Sequence, residues 1–412
     1  MSDEYIKIGK CIVVLDAEYD SNITCIELED ELIFVDAGTR DDVSAKFRKD
    51  MEKKFKKKTS HLILTHYHWD HIGGMASFSD VEIIGAKSGL KEYKQDLEGI
   101  LSEAQRIASV EQNKENVKKG IWDETERTKI FYEYYPKMKL LLPTKTVENE
   151  LIISSGENDV IVKEIGGHTK CSLYVYIPSE KTIIIGDNLA SDTSQLGQCF
   201  FRSISKNTIE ILNELEKLDY EFVVPGHGPV VDKNYLTNSK NYLSELFIAL
   251  EKIARDEVKP CDLKIDHSYL PVFFDGNLPD CWNIVLKRLY VSIALEVFGK
   301  EIDKKKEAMI KAIVEGDRDY LIGIRTTDLE DMYLNGSFIQ GLDDYTNQVF
   351  FWQIYDGRFE TIDRYFFGNK IVEKCYYFFR SSVDSDENRR EYIYFWKKVN
   401  GDWKLSSQIR LS

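Results

Sequence analysis

The sequence predicts an α+β protein: two successive αβ halves with helices packed outside two sheets, then a separate α+β domain. Three observations lead there. Short apolar or alternating runs typical of strands recur from Ile12 to Val224. A long, charged, helix-favouring stretch from Lys91 to about Lys139 interrupts them. All eight prolines precede residue 280, and beyond about Lys300 the composition turns first charged and then aromatic.

In chain order, Ile12–Leu15, Ile23–Leu28 and Leu32–Val35 read as hairpin strands separated by Asp, Asn and Glu turns. Val43 to Phe55 reads as a helix, and Leu62–Leu64 and Val81–Ile84 as buried strands. The stretch at about 91–140, carrying Trp122, Phe131, Tyr132, Tyr134 and Tyr135, is a helical excursion of the size that caps a scaffold as a lid. Strand signals return at Leu151–Ile153, Val160–Glu164, Leu173–Ile177, Thr182–Ile185 and Phe222–Val224, with a helix near Thr208–Leu218. Tyr242, Leu246, Ala249 and Ile253 have helical spacing, and Trp282–Phe298 is an apolar-rich helix. A first domain is therefore expected over 1–300, with a helical extension at about 233–300. A second is expected over 301–412, with a charged helix (Lys304–Tyr320) and strands at Val349–Tyr355, Lys374–Phe379 and Tyr392–Val399. Asn400-Gly401 marks a hairpin turn after the last of these.

Composition narrows the function. With 55 basic and 70 acidic residues the formal charge is −15, which argues against a nucleic-acid partner. The densest basic run, Lys53–Lys58, reads as a solvated helix face. No apolar stretch approaches the roughly 18–20 residues needed to cross a bilayer, so no membrane association is expected. The opening MSDEYIKIGK has no secretory pattern, and the seven scattered cysteines form no C-x-x-C pair. A reducing cytoplasm is the expected compartment.

The seven histidines are distributed unevenly. Thr65-His66-Tyr67-His68-Trp69-Asp70-His71-Ile72-Gly73-Gly74 begins where the strand Leu62–Leu64 ends. In extended backbone, alternate residues share a face, so His66 and His68 can hold one ion together. After the turn, Asp70 and His71 can face a second. His168 (Gly166-Gly167-His168), Asp187 (Gly186-Asp187-Asn188) and His227 (Gly226-His227-Gly228) each follow a strand in a glycine-flanked loop. Strand ends are where αβ sheets deliver functional groups.

From about residue 10 to 235 this pattern resembles the metallo-β-lactamase superfamily of αββα-sandwich hydrolases. The resemblance rests on His-x-His-x-Asp-His, the later His, Asp and His, and Asp36 in Val35-Asp36-Ala37-Gly38. It implies that His66, His68 and His168 bind one metal and Asp70, His71 and His227 the other, with Asp187 bridging and Asp36 steadying the loops from behind. Two divalent ions are implied, zinc by preference, with iron or manganese compatible with the same ligands. A metal-bridging hydroxide, oriented by Asp70, would attack an ester, thioester or lactone carbonyl of a small molecule.

The bridging Asp187 and the absence of a secretory pattern point to the glyoxalase-II-like and lactonase-like branches over true β-lactamases. A phosphodiesterase or nuclease on the same centre is the alternative, followed by an iron-dependent dioxygenase or a non-catalytic metal-binding sensor. Cys171-Ser172 stands where many relatives carry Pro-Gly, and Cys171 is read as a buried structural thiol. Trp122, Tyr132 and Tyr135 from the lid, and Arg202, are candidate substrate contacts; packing of the lid is the competing role for the aromatics. His61 and His267 are read as non-ligands. The ending Tyr394–Gln408 makes the C-terminal domain resemble NTF2-like or SnoaL-like cones, which implies a homodimer through that domain or a small apolar pocket.

Overall fold

The computed structural model describes residues 4–17, 19–121, 124–156, 158–191, 206–256, 282–332, 338–341 and 354–411. The first sheet follows chain order: β1 (Glu4–Ile8), β2 (Ile12–Asp16), β3 (Ile23–Glu27), β4 (Glu31–Val35), β5 (Lys58–Ile63), β6 (Glu82–Ala86) and β7 (Lys145–Val147). β1 to β4 form an antiparallel meander, and β5, β6 and β7 continue in parallel from β4. The second sheet is ordered β13-β12-β11-β10-β9-β8, from β8 (Glu150–Ser155), β9 (Asn158–Glu164), β10 (Leu173–Ile177), β11 (Thr182–Ala190), β12 (Phe222–His227) and β13 (Val231–Asp232). One buried apolar cluster joins the two sheets, running from Val13, Cys25, Phe34 and Leu62 to Val162, Leu173, Val175 and Val224.

Helix α1 (Asp41–Phe55) covers the first sheet, burying Phe47 and Met51 on one stripe while Phe34 meets the Phe47 ring edge-on at 5.6 Å. Asp41 and Asp42 in its first turn and Lys53 and Lys54 in its last complement the helix dipole. The one-turn helix α2 (Trp69–Ile72) follows β5. The lid comprises α3 (Leu90–Glu98), α4 (Glu103–Lys118) and α5 (Glu126–Tyr134), the last capped by a reciprocal Thr125–Thr128 box. Buried Arg106 of α4 donates to the carbonyls of Leu101, Tyr135 and Met138 and so ties α4 to the end of α5. Beyond β11, α6 (Lys206–Glu216) buries Ile211, Leu212 and Leu215, and α7 (Lys233–Arg255) follows β13.

The chain parts into two compact units, 1–244 with 270–285 and 245–269 with 286–412. In the second, a sheet ordered β15-β14-β19-β18-β17-β16 packs on a long helix. Its strands are β14 (Arg325–Met332), β15 (Phe338–Gln340), β16 (Asp356–Phe366), β17 (Lys370–Arg380), β18 (Asn388–Val399) and β19 (Asp402–Arg410). Asn400 and Gly401, both at positive φ, turn β18 into β19 as expected. One sequence expectation needs correcting here. The helices ending at Phe298 and starting at Lys304 are one, α8 (Trp282–Glu315). Gly299 does not break it, and a side chain there would strike the Arg364 guanidinium. The expected strand at Val349–Tyr355 lies mostly outside the described residues; β16, starting at Asp356, is a further strand whose polarity masked it in the sequence.

Between α8 and this sheet lies a buried ionic network. Fully buried Glu373 accepts from Trp396 Nε1 at 3.0 Å and Arg364 Nε at 2.9 Å, and sits 3.2 Å from Lys306 Nζ. Asp303 pairs with Arg364 from the helix. Among the described residues no helix is long and apolar enough to cross a membrane. Removing the carboxylate leaves the indole N–H without its acceptor and the buried Lys306 and half-buried Arg364 with only Asp303 as a counter-charge among the described residues. Glu373→Leu is therefore expected to destabilise the second unit by about 3–5 kcal/mol, read from urea unfolding. Unchanged stability would show that the network contributes nothing.

Candidate metal centre

The site assembles where strands of both sheets end. Asp36 follows β4; His66 and His68 lie in the loop after β5; Asp70 and His71 lie on α2. His168 follows β9, and His227 is the last residue of β12. Asp187 differs from expectation: the strand does not stop at Ile185 but continues to Ala190. Asp187 follows an irregularity at Gly186, where pairing with β12 shifts register. A bulge of this kind re-aims a side chain without ending the strand. Gly226 permits the approach, since a Cβ there would lie 2.1 Å from Asp187 Oδ1.

The seven residues form two groups whose donor atoms lie within 4.8 Å of one another: His66, His68, His168 and Asp187, and Asp70, His71 and His227. Asp187 stands between them. Its Oδ2 is 3.8 Å from His66 Nε2 and 3.5 Å from His168 Nε2, while Oδ1 is 3.0 Å from His71 Nε2 and 3.4 Å from His227 Nε2. Asp70 Oδ2 is 3.4 Å from His227 Nε2. His66 Nε2, His71 Nε2 and Asp187 Oδ1 are buried and have no hydrogen-bond partner. Convergent imidazole and carboxylate donors left unpaired in the interior are what a bound cation satisfies, so the residues present fit metal ions.

The protonation states suit that reading. Burial, reinforced by neighbouring imidazoles, holds His66 well below the usual histidine range and pushes His68 down to about 4. Burial opposes the charge of Asp70, but His227, His71 and Arg127 outweigh it and hold the carboxyl well below its usual range. Asp187 behaves likewise, with His71, His227 and His168 overcoming burial. His71 runs the other way: Asp187 and Asp36 outweigh burial and raise it, making it the donor that must give up a proton to a cation.

Behind these side chains lies a supporting shell. Asp36 accepts from Thr65 N and Thr65 Oγ1, both at 2.7 Å, and lies 2.8 Å from His71 Nδ1. This contact fixes the tautomer that presents Nε2 inward. Asn188 Oδ1 accepts from the His168 backbone N–H at 2.8 Å. His227 Nδ1 lies 3.0 Å from the Asp20 carbonyl, and the Asp20 carboxylate in turn holds Thr39 and Arg40. Asn188 had a signal, its place beside Asp187; Asp20 had only a turn composition.

Among the candidate substrate contacts, Tyr135 is buried against Trp69 and Phe131, and Tyr132 donates to Asn113 within the lid. Both pack the lid, the competing role the sequence left open for them. Trp122 and Arg202 lie outside the described residues. Unforeseen was Arg127 of α5, whose Nη2 donates to Asp70 Oδ2 at 2.8 Å. Cys171 is buried, and burial raises its thiol.

A family model described as the metallo-beta-lactamase superfamily matches residues 17–227. The metallo-beta-lactamase type 2 of Bacillus cereus is 24% identical over 225 residues, covering 54% of this chain and 73% of that protein. The same enzyme of Bacillus sp. (strain 170) is 23% identical over 235 residues. Among solved structures, a metallo-beta-lactamase from Pontibacter korlensis has a TM-score of 0.43 at 16% identity, covering 58% of this chain and 98% of that one. The sec-alkylsulfatase Pisa1 from Pseudomonas sp. has a TM-score of 0.49 at 13% identity, covering 78% of this chain and 58% of that one.

Asn tolerates the left-handed backbone that Asp36 adopts (φ 59°), so Asp36→Asn keeps the local fold while removing the charge and one of the two acceptor oxygens that serve Thr65 and His71. The variant is expected to keep its fold by circular dichroism and to bind zinc about 10- to 100-fold more weakly in chelator competition. Parent-like affinity would remove Asp36 from the site's supporting shell.

Proposed function

The chain belongs to the metallo-beta-lactamase superfamily, and from that premise we propose that it is a metal-dependent hydrolase acting on a small-molecule ester, thioester or lactone. The observation that carries this reading is Asp187, whose two carboxylate oxygens each face a different histidine group. One residue can thus hold two divalent ions side by side, zinc by the imidazole-rich donor set. Bound there, the ions supply Lewis acidity and hydroxide at neutral pH.

The protein's own groups supply position. His66, His68 and His168 would hold one ion, and His71 and His227 with Asp70 would hold the other. Asp70, ionised and anchored on a one-turn helix, is placed to orient the attacking group. Asp36 keeps His71 facing inward, and the lid limits water around the reacting carbonyl. A carboxylate in the place of Asp187 favours the glyoxalase-II-like and lactonase-like branches. Beta-lactam hydrolysis is the second reading, favoured by the names of the two curated relatives. For the C-terminal unit, a six-stranded sheet laid on a long helix supports an NTF2-like domain, and we propose pairing of two copies through it.

Metal analysis of the full chain is expected to give two ions per protein. A panel of thioesters, lactones, carboxylic esters, beta-lactams, a sulfate ester and bis-p-nitrophenyl phosphate is expected to show fastest turnover among the first three. Asp70→Ala and His168→Ala should each lose at least about a hundredfold in kcat/KM, more than loss of an outer partner costs. Metal-free protein, or full activity in both variants, would overturn the mechanism; preference for a beta-lactam or the phosphodiester would replace the substrate class.

A further inference from the structure

Arg127 has no role in the mechanism above, yet it touches one of the residues that mechanism depends on. Its guanidinium, carried by lid helix α5, donates from Nη2 to Asp70 Oδ2 at 2.8 Å. That oxygen is also the one facing His227 Nε2 at 3.4 Å. The Asp70 side chain is 8% exposed and that of Arg127 20%, so water screens the pair weakly. The contact is fixed from both sides. Phe131, one turn along α5 from Arg127, packs edge-on against Trp69 at 5.3 Å, and Trp69 adjoins Asp70 in the ligand loop. Tyr135 meets the same indole at 5.2 Å.

A cation in the Asp70, His71 and His227 group would share the Asp70 carboxylate with a second, permanent positive charge. Arg127 withdraws electron density from that carboxylate through a charge-assisted hydrogen bond and repels the ion directly. Both effects weaken the ion. The group built from His66, His68 and His168 instead takes the Oδ2 side of the shared Asp187, an oxygen that faces the imidazoles of His66 and His168. We propose that Arg127 is a positioning residue that makes the Asp70, His71 and His227 site the weaker of the two, and so makes its occupancy depend on the lid. This rests on the metal-centre reading above.

The sign of the effect separates this role from a structural one. Loss of a supporting hydrogen bond weakens a metal site, whereas loss of an opposing charge tightens it. Arg127→Gln keeps an N–H donor for Asp70 and removes the charge; Arg127→Lys keeps the charge. The experiment is a zinc titration of metal-stripped full-length protein against a competing chelator, for the parent and both variants. The parent is expected to bind in two unequal steps, with His168→Ala abolishing the stronger and His227→Ala the weaker. In Arg127→Gln the weaker step should tighten at least about tenfold and the stronger stay within about twofold, while Arg127→Lys follows the parent. Two equal steps in the parent, a weaker step unchanged or loosened in Arg127→Gln, or equal tightening in Arg127→Lys would each overturn the proposal. No zinc binding by the parent, or a stronger step that survives His168→Ala, would instead bring down the metal-centre reading, and the role of Arg127 with it.

Discussion

Three buried donor atoms, His66 Nε2, His71 Nε2 and Asp187 Oδ1, face one another without a hydrogen-bond partner, and most of the surrounding structure serves to keep them there. A buried polar atom left unpaired costs about 1–3 kcal/mol, so three at one point would ordinarily be relieved by a rotated side chain or a shifted loop. The fold prevents that relief. Strand ends of two packed sheets deliver the side chains, Asp36 grips His71 and Thr65 from behind, and the Asp20 carbonyl holds the far nitrogen of His227. The bulge at Gly186 and the bare Cα of Gly226 let Asp187 reach the middle. The apolar cluster between the sheets runs up to the centre, with Ala37, Tyr67 and Ile72 buried beside its ligands, and so holds the loops that carry them.

The two donor groups share Asp187 but not their surroundings. On one side of the second group a carboxylate, Asp36, strengthens a histidine ligand; on the other a guanidinium, Arg127, draws on the aspartate ligand. Asp36 follows a strand of the first sheet and Arg127 is carried by the lid helix α5, so the two opposite influences on the trio come from separate structural elements. The first group is anchored within the sheets' own loops, through Asn188 and the His168 backbone.

How much of this could be read from the sequence depended on periodicity. The alternation of His66 and His68 after an apolar strand, and the glycines flanking His168, Asp187 and His227, are local patterns, and local patterns survive without a structure. Arg127 is 57 residues from Asp70 in a charged stretch full of Lys, Arg and Glu, and no spacing rule singles it out. The lid aromatics were ambiguous for a related reason, since an aromatic ring packs equally well on a protein or on a ligand. The single helix α8 looks like two because its apolar composition turns charged beyond about Lys300. The Arg364 guanidinium that packs against its middle at Gly299 belongs to a strand far along the chain. In the same way β16 was hidden by its own polarity.

Arg106 has a consequence for how the site is entered. Its three carbonyl acceptors belong to the segments just before α4 and just after α5, and all three contacts are buried. Fraying α4 away from the end of α5 would strand a guanidinium and three carbonyls at once, so these parts of the lid favour moving as one block. A block that parted from the centre would give up the Arg127–Asp70 ion pair and the Trp69 contacts with Phe131 and Tyr135 together, so charge and aromatic packing would be lost in the same event.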